Sequence, residues 1–419
     1  MMFCKEDDFA ETPIGDFPKD WRVVSLGDIA KVKGGKRVRK GEKLVDFRTG
    51  FPYIRVVDFK NGTVDVSRVK YLLPETHEKI KNYTISSNDV YISIAGTVGL
   101  AGLIPPELDG ANLTENAAKL CDLKNVRKQF LACLLNSEVP RDQMMGLIGK
   151  GTQPKLALFR IESLKIPLPS MEEQEKIAEV LGVVDSAIWL VDRVIWKTER
   201  LKKGLMQELL TKGIGHKEYK DTQIGKTPNT WQIEELGEMC NQRSGIVQPS
   251  GEGANRFIGL EHIAPGEITV QSYGSDVDIR SSKFRFCPKD ILYGKLRPYL
   301  DKAVLVDLNG ICSTDLLVLT AQQERALPEF LVYVLHSSEF IKHAIATTTG
   351  TNHPRTSWKA ISKFEFGLPP LPEQRRISEI LFTLNKKLEL EKSEKARLER
   401  VKRGLMDLLL TGKVRVKVD

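Results

Sequence analysis

The 419-residue sequence lacks the features of a membrane or exported protein. No apolar run in it approaches the roughly 18 residues that a membrane-spanning helix requires. The N-terminal residues, MMFCKEDDFAET, are acidic, which is not typical of a signal peptide. We therefore expect a cytoplasmic protein.

Cysteine and histidine are scarce and scattered. There are six of each, with no CxxC pair and no spacing typical of zinc ligands. We expect the cysteines to be reduced thiols, most of them buried. The sequence thus predicts no metal site.

Motifs for chemistry on DNA are also absent. The sequence contains no G-x-x-x-x-G-K-[ST] phosphate loop. It has no Asn/Asp-Pro-Pro-aromatic tetrad for amino methylation, because Pro105-Pro106 and Pro369-Pro370 have the wrong neighbours. No Ser or Cys nucleophile can be paired with a histidine. We therefore expect no catalytic site and no cofactor, with any chemistry supplied by other proteins.

What the chain does have is positive charge. Its 63 Lys and Arg exceed its 55 Asp and Glu, giving a net charge of +8 and a pI near 9.0. Such a surplus favours polyanionic partners, either nucleic acid or a membrane surface. Apolar residues make up 41% of the chain, enough to build real cores. A chain of this length is expected to form roughly two to four domains.

One stretch of the chain occurs twice. Residues 168–211 and 368–411 align without a gap at a shift of 200 positions. Each copy opens with a proline-rich turn and an acid-Gln pair, Glu173-Gln174 or Glu373-Gln374, and ends in K-x-G-L-M and L-L-T. A register kept over this length indicates an internal duplication.

Both copies have the apolar spacing of a coiled-coil helix. In the first copy, apolar residues recur at alternating steps of four and three, at Ile177, Leu181, Val184, Ile188, Val191 and Ile195. About 40 helical residues span about 60 Å. The stripe of the second copy is its nearest partner, at Ile377, Leu381, Leu384, Leu388, Leu398, Val401, Leu405 and Leu409. Glu391 and Lys395 interrupt this stripe and are expected to face water or a third body. Alternatively, the two helices lie in the cores of separate domains.

A second repeat opens each half of the chain. The pattern I-G-x-x-P-x-x-W begins at Ile14 and again at Ile224, a shift of 210. Each half is therefore a globular part followed by a long helix. Short alternating runs between turn signals predict strands, for example at 90–94 and 290–293, and helices are expected at 126–136 and 327–346. We predict mixed α/β domains.

Two kinds of loop are candidates for nucleic-acid contact. Residues 31–40, KVKGGKRVRK, place six positive charges within ten positions, and such a loop is more stable beside a polyanion. The alternative is a loop that is merely solvated. Polar loops also precede both long helices, GKGTQPK at 149–155 and TGTNHPR at 349–355, with side chains suited to phosphates and base edges. The second unit lacks the basic loop and has a basic, aromatic one at 293–299 instead.

In their order and duplication, these motifs resemble the specificity subunit of a type I restriction-modification enzyme. The likeness covers residues 11–419 and includes the segments ISIAGTVG, GANLTENAAKL and GICSTDLLVL. It implies a non-catalytic subunit with two target-recognition domains, each reading one half of a split double-stranded DNA sequence. Two long helices would pack antiparallel as a spacer that sets the gap. Two methyltransferase subunits and motor-nuclease (restriction) subunits would be its partners, and alone it could self-associate.

The resemblance implies five segments with an internal pseudo-twofold repeat. They are an N-terminal tail (1–10), recognition domain 1 (11–165), helical spacer 1 (166–214), recognition domain 2 (215–365), and helical spacer 2 with a C-terminal tail (366–419).

The candidate DNA-binding residues follow from the positions of these loops. Lysines are expected to hold phosphates, whereas Asn, Gln and Arg can form paired hydrogen bonds with adenine or guanine. The candidates in the first domain are Lys36, Arg37, Arg39, Lys150, Thr152, Gln153 and Lys155. Those in the second are Arg243, Lys295, Arg297, Tyr299, Thr351, Asn352, His353 and Arg355.

Two other functions stay open from the residues alone. A DNA methyltransferase or nuclease with an unrecognised catalytic site would act without partners. A non-enzymatic coiled-coil adaptor would have no nucleic-acid role, and salt-dependent DNA binding would exclude it.

Overall fold

Short strands and helices precede each of two long helices along the chain. The computed structural model describes residues 3–148, 155–249, 253, 255–277 and 279–416. In the described residues of the first half, the strands are β1 (Phe3–Lys5), β2 (Phe9–Thr12), β3 (Gly15–Pro18), β4 (Arg22–Ser25), β5 (Lys31–Gly34), β6 (Pro52–Ile54), β7 (Phe59–Lys60), β8 (Thr63–Val64), β9 (Lys70–Tyr71), β10 (Thr84–Ile85), β11 (Val90–Ser93), β12 (Ala101–Leu103), β13 (Ala111–Leu113), β14 (Ala117–Cys121) and β15 (Lys165–Leu168). The helices there are α1 (Leu26–Ile29), α2 (Pro74–Ile80), α3 (Lys128–Leu135), α4 (Glu138–Leu147), α5 (Leu158–Glu162) and the long α6 (Met171–Lys212).

The second half repeats most of this order. Its strands, within the described residues, are β16 (Tyr219–Thr222), β17 (Gly225–Pro228), β18 (Gln232–Glu235), β19 (Cys240–Gln242), β20 (Ile246–Val247), β21 (Arg256–Ile258), β22 (Gly274–Ser275), β23 (Lys283–Phe286), β24 (Asp290–Gly294), β25 (Ala303–Leu305), β26 (Gly310–Cys312), β27 (Leu316–Ala321), β28 (Glu365–Leu368) and β29 (Val414–Val416). The helices are α7 (Leu236–Met239), α8 (Pro328–Leu335), α9 (Ser338–Ala346), α10 (Trp358–Ile361) and the long α11 (Leu371–Leu410).

The chain divides into two compact units. Unit 1 consists of the residues up to Asp192 together with those from Glu394, and unit 2 of Arg193–Ser393. Each unit therefore contains one part of α6 and one part of α11. The division falls within the long helices, and the five segment boundaries expected from the sequence stay a prediction.

The two units share one sheet topology. An antiparallel sheet has the order β12-β11-β14-β5 in unit 1 and β25-β24-β27-β19 in unit 2. A second sheet has the order β10-β13-β6-β9 in unit 1, and β23-β26-β21-β22 with the additional edge strand β20 in unit 2. In each, one parallel pair, β13 with β6 or β26 with β21, lies between antiparallel neighbours. The duplication seen in the sequence is thus a duplication of fold.

The central strand of each antiparallel sheet is buried on both faces. In β11, Val90 and Ile92 join the core that contains α3, while Tyr91 joins the core of the second sheet. In β24, Ile291 and Leu292 divide in the same way between two cores. Because successive side chains of a strand point to opposite faces, one strand supports two cores.

The helix expected at 327–346 is two helices, which corrects the sequence prediction. α8 ends at Leu335 and α9 begins at Ser338. The side chain of Ser337 accepts a hydrogen bond from the Phe340 N–H (3.2 Å), and this cap favours a new helix start over a continuous helix. The preceding residue, His336, turns inward, where its Nδ1 lies 2.6 Å from the Asp301 carboxylate.

The acid-Gln pair at the start of each long helix fastens that helix to its globular part. The indole N–H of Trp21 donates to Glu173 (3.1 Å), and that of Trp231 donates to Glu373 (3.0 Å). The neighbouring glutamine in unit 2, Gln374, accepts from the Leu327 N–H (2.8 Å) and donates to two backbone carbonyls. The sequence pointed to this pair by repetition but did not indicate what it does.

The glutamates of the two junctions have different cationic partners. In unit 1, Arg415 binds Glu173 through Nε (2.6 Å), and it also contacts Glu6 and Asp20. In unit 2, the position is taken by His216, whose Nε2 lies 2.8 Å from Glu373. The hydrogen bond to Glu173, opposed by partial burial, raises the pKa of Arg415. The two tails named in the sequence contribute strands here, since β1 pairs with β29.

The long helices pack along the predicted apolar stripe within each unit. In unit 1, Ile177 and Leu181 of α6 are buried in one cluster with Leu409 of α11. In unit 2, Leu209 of α6 is buried in one cluster with Ile377 of α11. The expected coiled-coil pairing is confirmed.

Polar residues on the stripe face the other helix. Lys395 of α11 binds Asp192 of α6 (2.6 Å), and Lys402 binds Asp185 (2.5 Å), so the helices run antiparallel. Glu391 accepts a hydrogen bond from Thr198 (3.2 Å). The expectation that Glu391 and Lys395 face water or a third body is therefore wrong. Val401, which the sequence placed on the stripe, is 46% exposed. The neighbouring Lys402, which binds Asp185, faces α6 in its place.

We predict that Gln374→Ala lowers the free energy of unfolding by roughly 1–3 kcal/mol, because it leaves the Leu327 N–H and two carbonyls without their partner in a buried site. Chemical unfolding curves measure this change. The matched control is Gln207→Ala, an exposed glutamine on α6, which should leave the midpoint unchanged. Equal midpoints for both variants would contradict the anchoring role.

Candidate nucleic-acid interface

In unit 1 the basic loop is held at its root while its cations stay exposed. The Gly35 N–H donates to the Ala117 carbonyl (3.0 Å), and the Lys36 N–H donates to the Leu113 carbonyl (2.8 Å). A Cβ at Gly35 would lie 2.1 Å from a backbone oxygen, so only glycine fits. The hydroxyl of Tyr53 donates to the Lys36 carbonyl (2.9 Å). The backbone of this root is thus fixed independently of the cationic side chains.

The exposed cations of this loop have different surroundings. The Nζ of Lys36 lies 5.3 Å from the centre of the Tyr83 ring. Arg37 binds the carboxylate of Glu115 through Nε at 2.5 Å. Arg39 is exposed beyond them. Of these three side chains, only that of Arg37 forms an ion pair with a described residue.

The polar loop of unit 1 is described only at its end. Lys150, Thr152 and Gln153 lie outside the described residues. Lys155 is exposed, and its backbone pairs with Ala95. This contact places Lys155 beside the turn that follows β11.

In unit 2 the structure brings two predicted loops together. The Arg297 N–H donates to the Pro354 carbonyl (2.8 Å), and the Thr356 N–H donates to the Lys295 carbonyl (3.0 Å). Arg355 and Thr349 exchange two backbone hydrogen bonds of 3.0 and 2.9 Å, which closes a tight turn. The tip of this turn exposes three candidate residues, namely Thr351, Asn352 and His353.

The loop that carries Arg297 is shaped by an unusual backbone. Arg297 and Asp301 both have positive φ, +52° and +50°, on either side of a short turn of helix. Pro298 is buried, whereas the Tyr299 side chain is 55% exposed. Asp301 is held by His336, as described above. The loop is thus fixed through Pro298 and Asp301, and it exposes the aromatic ring of Tyr299 to solvent.

Arg243 has a structural partner. Its guanidinium binds the carboxylate of Asp290 through two hydrogen bonds of 2.8 and 2.9 Å, and Asp290 is only 1% exposed. The hydrogen bond to Asp290 raises the pKa of Arg243, although partial burial opposes it. Its role as a DNA contact stays a prediction, as do those of the other candidates.

Sequence reasoning missed two carboxylates beside the candidate arginines. Glu115 binds Arg37, and Asp315 binds Arg355 through Nε at 3.2 Å. The two acids lie in the corresponding turns after β13 and β26. The position equivalent to Asp315 is Asn116, because each of these two residues donates its backbone N–H to the hydroxyl two residues before it. The Thr-acid pair present in both halves, Thr114-Glu115 and Thr314-Asp315, was the sequence signal that could have drawn attention to them.

Other site chemistry is limited within the parts of the chain that the structure describes. There, no group of three or more His, Cys, Asp or Glu could hold a metal ion. No described helix is long and apolar enough to cross a membrane. The six cysteines are unpaired, and burial raises the pKa of Cys240 and of Cys312 to about 12, which disfavours the reactive thiolate.

Comparison with known proteins places both halves of the chain in one family model. The type I restriction modification DNA specificity domain matches residues 18–195 and 228–400. The chain is also 28% identical over 433 residues to the type I restriction enzyme MjaVIII specificity subunit of Methanocaldococcus jannaschii. That alignment covers 100% of this chain and 98% of that subunit.

Two solved structures share the fold. The S subunit of the type I restriction-modification system from M. genitalium matches with a TM-score of 0.57 at 15% identity, covering 95% of this chain and 97% of that one. A chain solved for complex assembly and conformational transition of the type I R-M system matches with a TM-score of 0.54 at 20% identity, covering 95% and 99%. The predicted mixed α/β fold, with two domains and a pair of long helices, is confirmed.

We predict that Arg243→Ala lowers the free energy of unfolding by roughly 1–3 kcal/mol, because it removes two charge-assisted hydrogen bonds from the buried Asp290. The control is Arg285→Ala, an exposed arginine on the neighbouring strand β23, which should change stability little. Chemical unfolding gives the stabilities, and DNA binding is measured on the folded protein. Unchanged stability together with altered base preference would make Arg243 a DNA contact instead.

Proposed function

This chain belongs to the family of type I restriction-modification DNA specificity domains, of which it carries two, and we propose that each copy reads one half of a split DNA target. The observation that carries the proposal is one shared sheet topology with two different sets of exposed polar side chains. Unit 1 presents its basic loop, whereas unit 2 presents two adjoining loops. Two different half-targets require different base-reading groups, and one shared scaffold can carry both sets.

The candidate residues divide by their chemistry. Lys36, Lys155 and Lys295 are point charges suited to phosphates, which supply affinity without sequence preference. Arginine and asparagine side chains, such as Arg297 and Asn352, can form paired hydrogen bonds with guanine or adenine in the major groove. The exposed Tyr299 ring adds a surface for apolar contact with a base or sugar.

The two long helices serve as the spacer in this proposal. They contain 42 and 40 residues, and about 1.5 Å per residue gives roughly 60 Å. One turn of DNA is about 34 Å long. Base pairs between the two half-targets therefore go unread, and helix length sets their number.

The partners in this proposal are two methyltransferase subunits, joined by restriction (motor) subunits, acting in the cytoplasm. Exposed apolar residues on α6 support docking on the helices: Val183 and Leu190 are 66% and 55% exposed in unit 1, and Trp196 and Leu201 are 54% and 52% exposed in unit 2. Catalysis lies with these partners, and this chain supplies recognition alone. Without them, the same apolar residues would favour self-association.

We predict a split methylation motif when the chain is expressed with its methyltransferase subunit in a host without its own systems. A genome-wide map of methylated adenines should show two short specified halves around a fixed unspecified gap. The matched control is the methyltransferase subunit alone, which should leave the genome unmethylated at that motif.

The same assay separates the rival functions. Methylation by this chain alone would make it an enzyme. A complex that co-purifies but gives no motif and no salt-dependent DNA binding would make the chain an adaptor. Arg297→Ala provides the half-site control, because it should relax only the half of the motif that unit 2 reads.

We predict that helix length sets the gap. Deleting one heptad from each long helix keeps the apolar stripe in register and removes about 10 Å of helix. This length corresponds to about three base pairs of duplex DNA. The methylation map should then show unchanged halves with a gap shorter by about that number. An unchanged gap would show that the helices do not measure it.

A further inference from the structure

One carboxylate in each unit lies beside a candidate base-reading arginine. Glu115 lies two residues after β13, and Asp315 lies three residues after the corresponding strand β26, one position further along the equivalent turn. Each binds an arginine, but the arginines come from different segments. Arg37 belongs to the basic loop after β5, and Arg355 belongs to the turn before α10.

The two contacts have the same form. In both, the carboxylate accepts from the arginine Nε, at 2.5 Å in unit 1 and 3.2 Å in unit 2. The Arg37 side chain is 76% exposed and that of Arg355 is 48% exposed. Among the described residues, no group accepts a hydrogen bond from their Nη atoms. Each guanidinium therefore keeps both of its Nη amino groups, with four N–H donors, for an incoming partner.

The carboxylate of Glu115 is well supported. Partial burial raises its pKa, but the hydrogen bonds from Arg37, a backbone N–H and Thr114 outweigh this effect, so the pKa is lowered. The hydroxyl of Thr114 donates to it at 3.0 Å. Glu115 is thus ionised and held in place before any ligand arrives.

An arginine paired in this way is a poor phosphate ligand and a good base reader. The carboxylate cancels the charge that would attract a phosphate and would itself be repelled by one. It also fixes a flexible side chain in advance, which lowers the entropy lost when paired hydrogen bonds form with guanine O6 and N7. By contrast, Lys36 and Lys295 have no carboxylate within salt-bridge distance among the described residues, so their charge remains available for phosphates.

We propose that Glu115 and Asp315 are positioning residues that hold Arg37 and Arg355 as readers of a guanine, one in each half of the target. This inference rests on the proposed function. Exposed ion pairs contribute little to stability. The two acids therefore act on sequence discrimination and leave folding nearly unchanged. Each half of the mapped target must contain at least one G·C pair.

The test uses the complex of the full chain with its methyltransferase subunits and duplex oligonucleotides of the mapped target. Every G·C pair is replaced in turn, and methylation rates are compared. We expect Glu115→Gln to reduce discrimination roughly tenfold at one G·C pair of the unit 1 half and nowhere else. Asp315→Asn should do the same in the other half. In each variant the arginine loses its counter-charge and can neutralise a phosphate instead. The slope of log binding constant against log salt concentration should therefore become steeper by about the value of one phosphate contact.

Matched variants separate positioning from simple structural effects. Glu175→Gln in unit 1 and Glu234→Gln in unit 2 remove the partners of the exposed Arg127 and Arg325, and both should leave discrimination and the salt dependence unchanged. Arg37→Ala should relax the same base pair as Glu115→Gln. Adding Glu115→Gln to Arg37→Ala should then have no further effect on discrimination.

The outcomes distinguish this inference from the proposed function. A wild-type complex without sequence preference would overturn both. A wild-type complex with a split target and variants of unchanged discrimination would overturn only the role of the acids. An equal loss of rate on every sequence would make the ion pairs structural. A half-target without a G·C pair would also overturn the inference for that unit.

Discussion

The constraint on which the rest of the structure depends is the single apolar stripe of each long helix. A helix of about 60 Å cannot bury such a stripe by itself. Within unit 1 the stripe of α6 is covered by the end of α11, and within unit 2 by its beginning. Charged pairs on the stripe, such as Asp192 with Lys395, fit only one alignment of the two helices. Duplication of the helix thus supplies the partner that a single copy would lack, and with it a second globular part.

Each globular part is tied to this pair of helices by a small buried polar junction. A tryptophan and the backbone before α3 or α8 bind the acid-Gln pair at the start of the long helix. A change in orientation would leave these buried groups unpaired, which costs more than a surface hydrogen bond contributes. The junction therefore fixes the orientation of each long helix relative to the sheets of its own unit, which carry the loops. The cationic partner of the glutamate differs between the two junctions: it is Arg415 in unit 1 and His216 in unit 2.

The sequence predicted the features that depend on pattern. Ungapped repetition and the spacing of Ile177, Leu181 and Ile188 were enough for the duplication and the helix pair, because periodicity directly reflects burial. The helix break at Ser337 was missed because a local cap overrides an apolar run. Arg243 was chosen as a surface cation, and its partner Asp290 is 47 positions away, so only the paired strands bring them together. A still larger separation, 78 positions, hid Glu115 from Arg37.

The separation of scaffold from side chains explains why loop residues can differ so widely between the two units. The roots of the loops are held by backbone hydrogen bonds, such as Gly35 to Ala117 and Arg297 to Pro354, which do not depend on the side chains at the exposed loop positions. Substitution at the exposed positions therefore leaves the fold intact while it changes the groups offered to DNA. In each unit a carboxylate in the turn after β13 or β26 pairs with an arginine, and the two arginines come from different loops. One scaffold can therefore hold an arginine beside a carboxylate without prescribing which loop supplies the arginine.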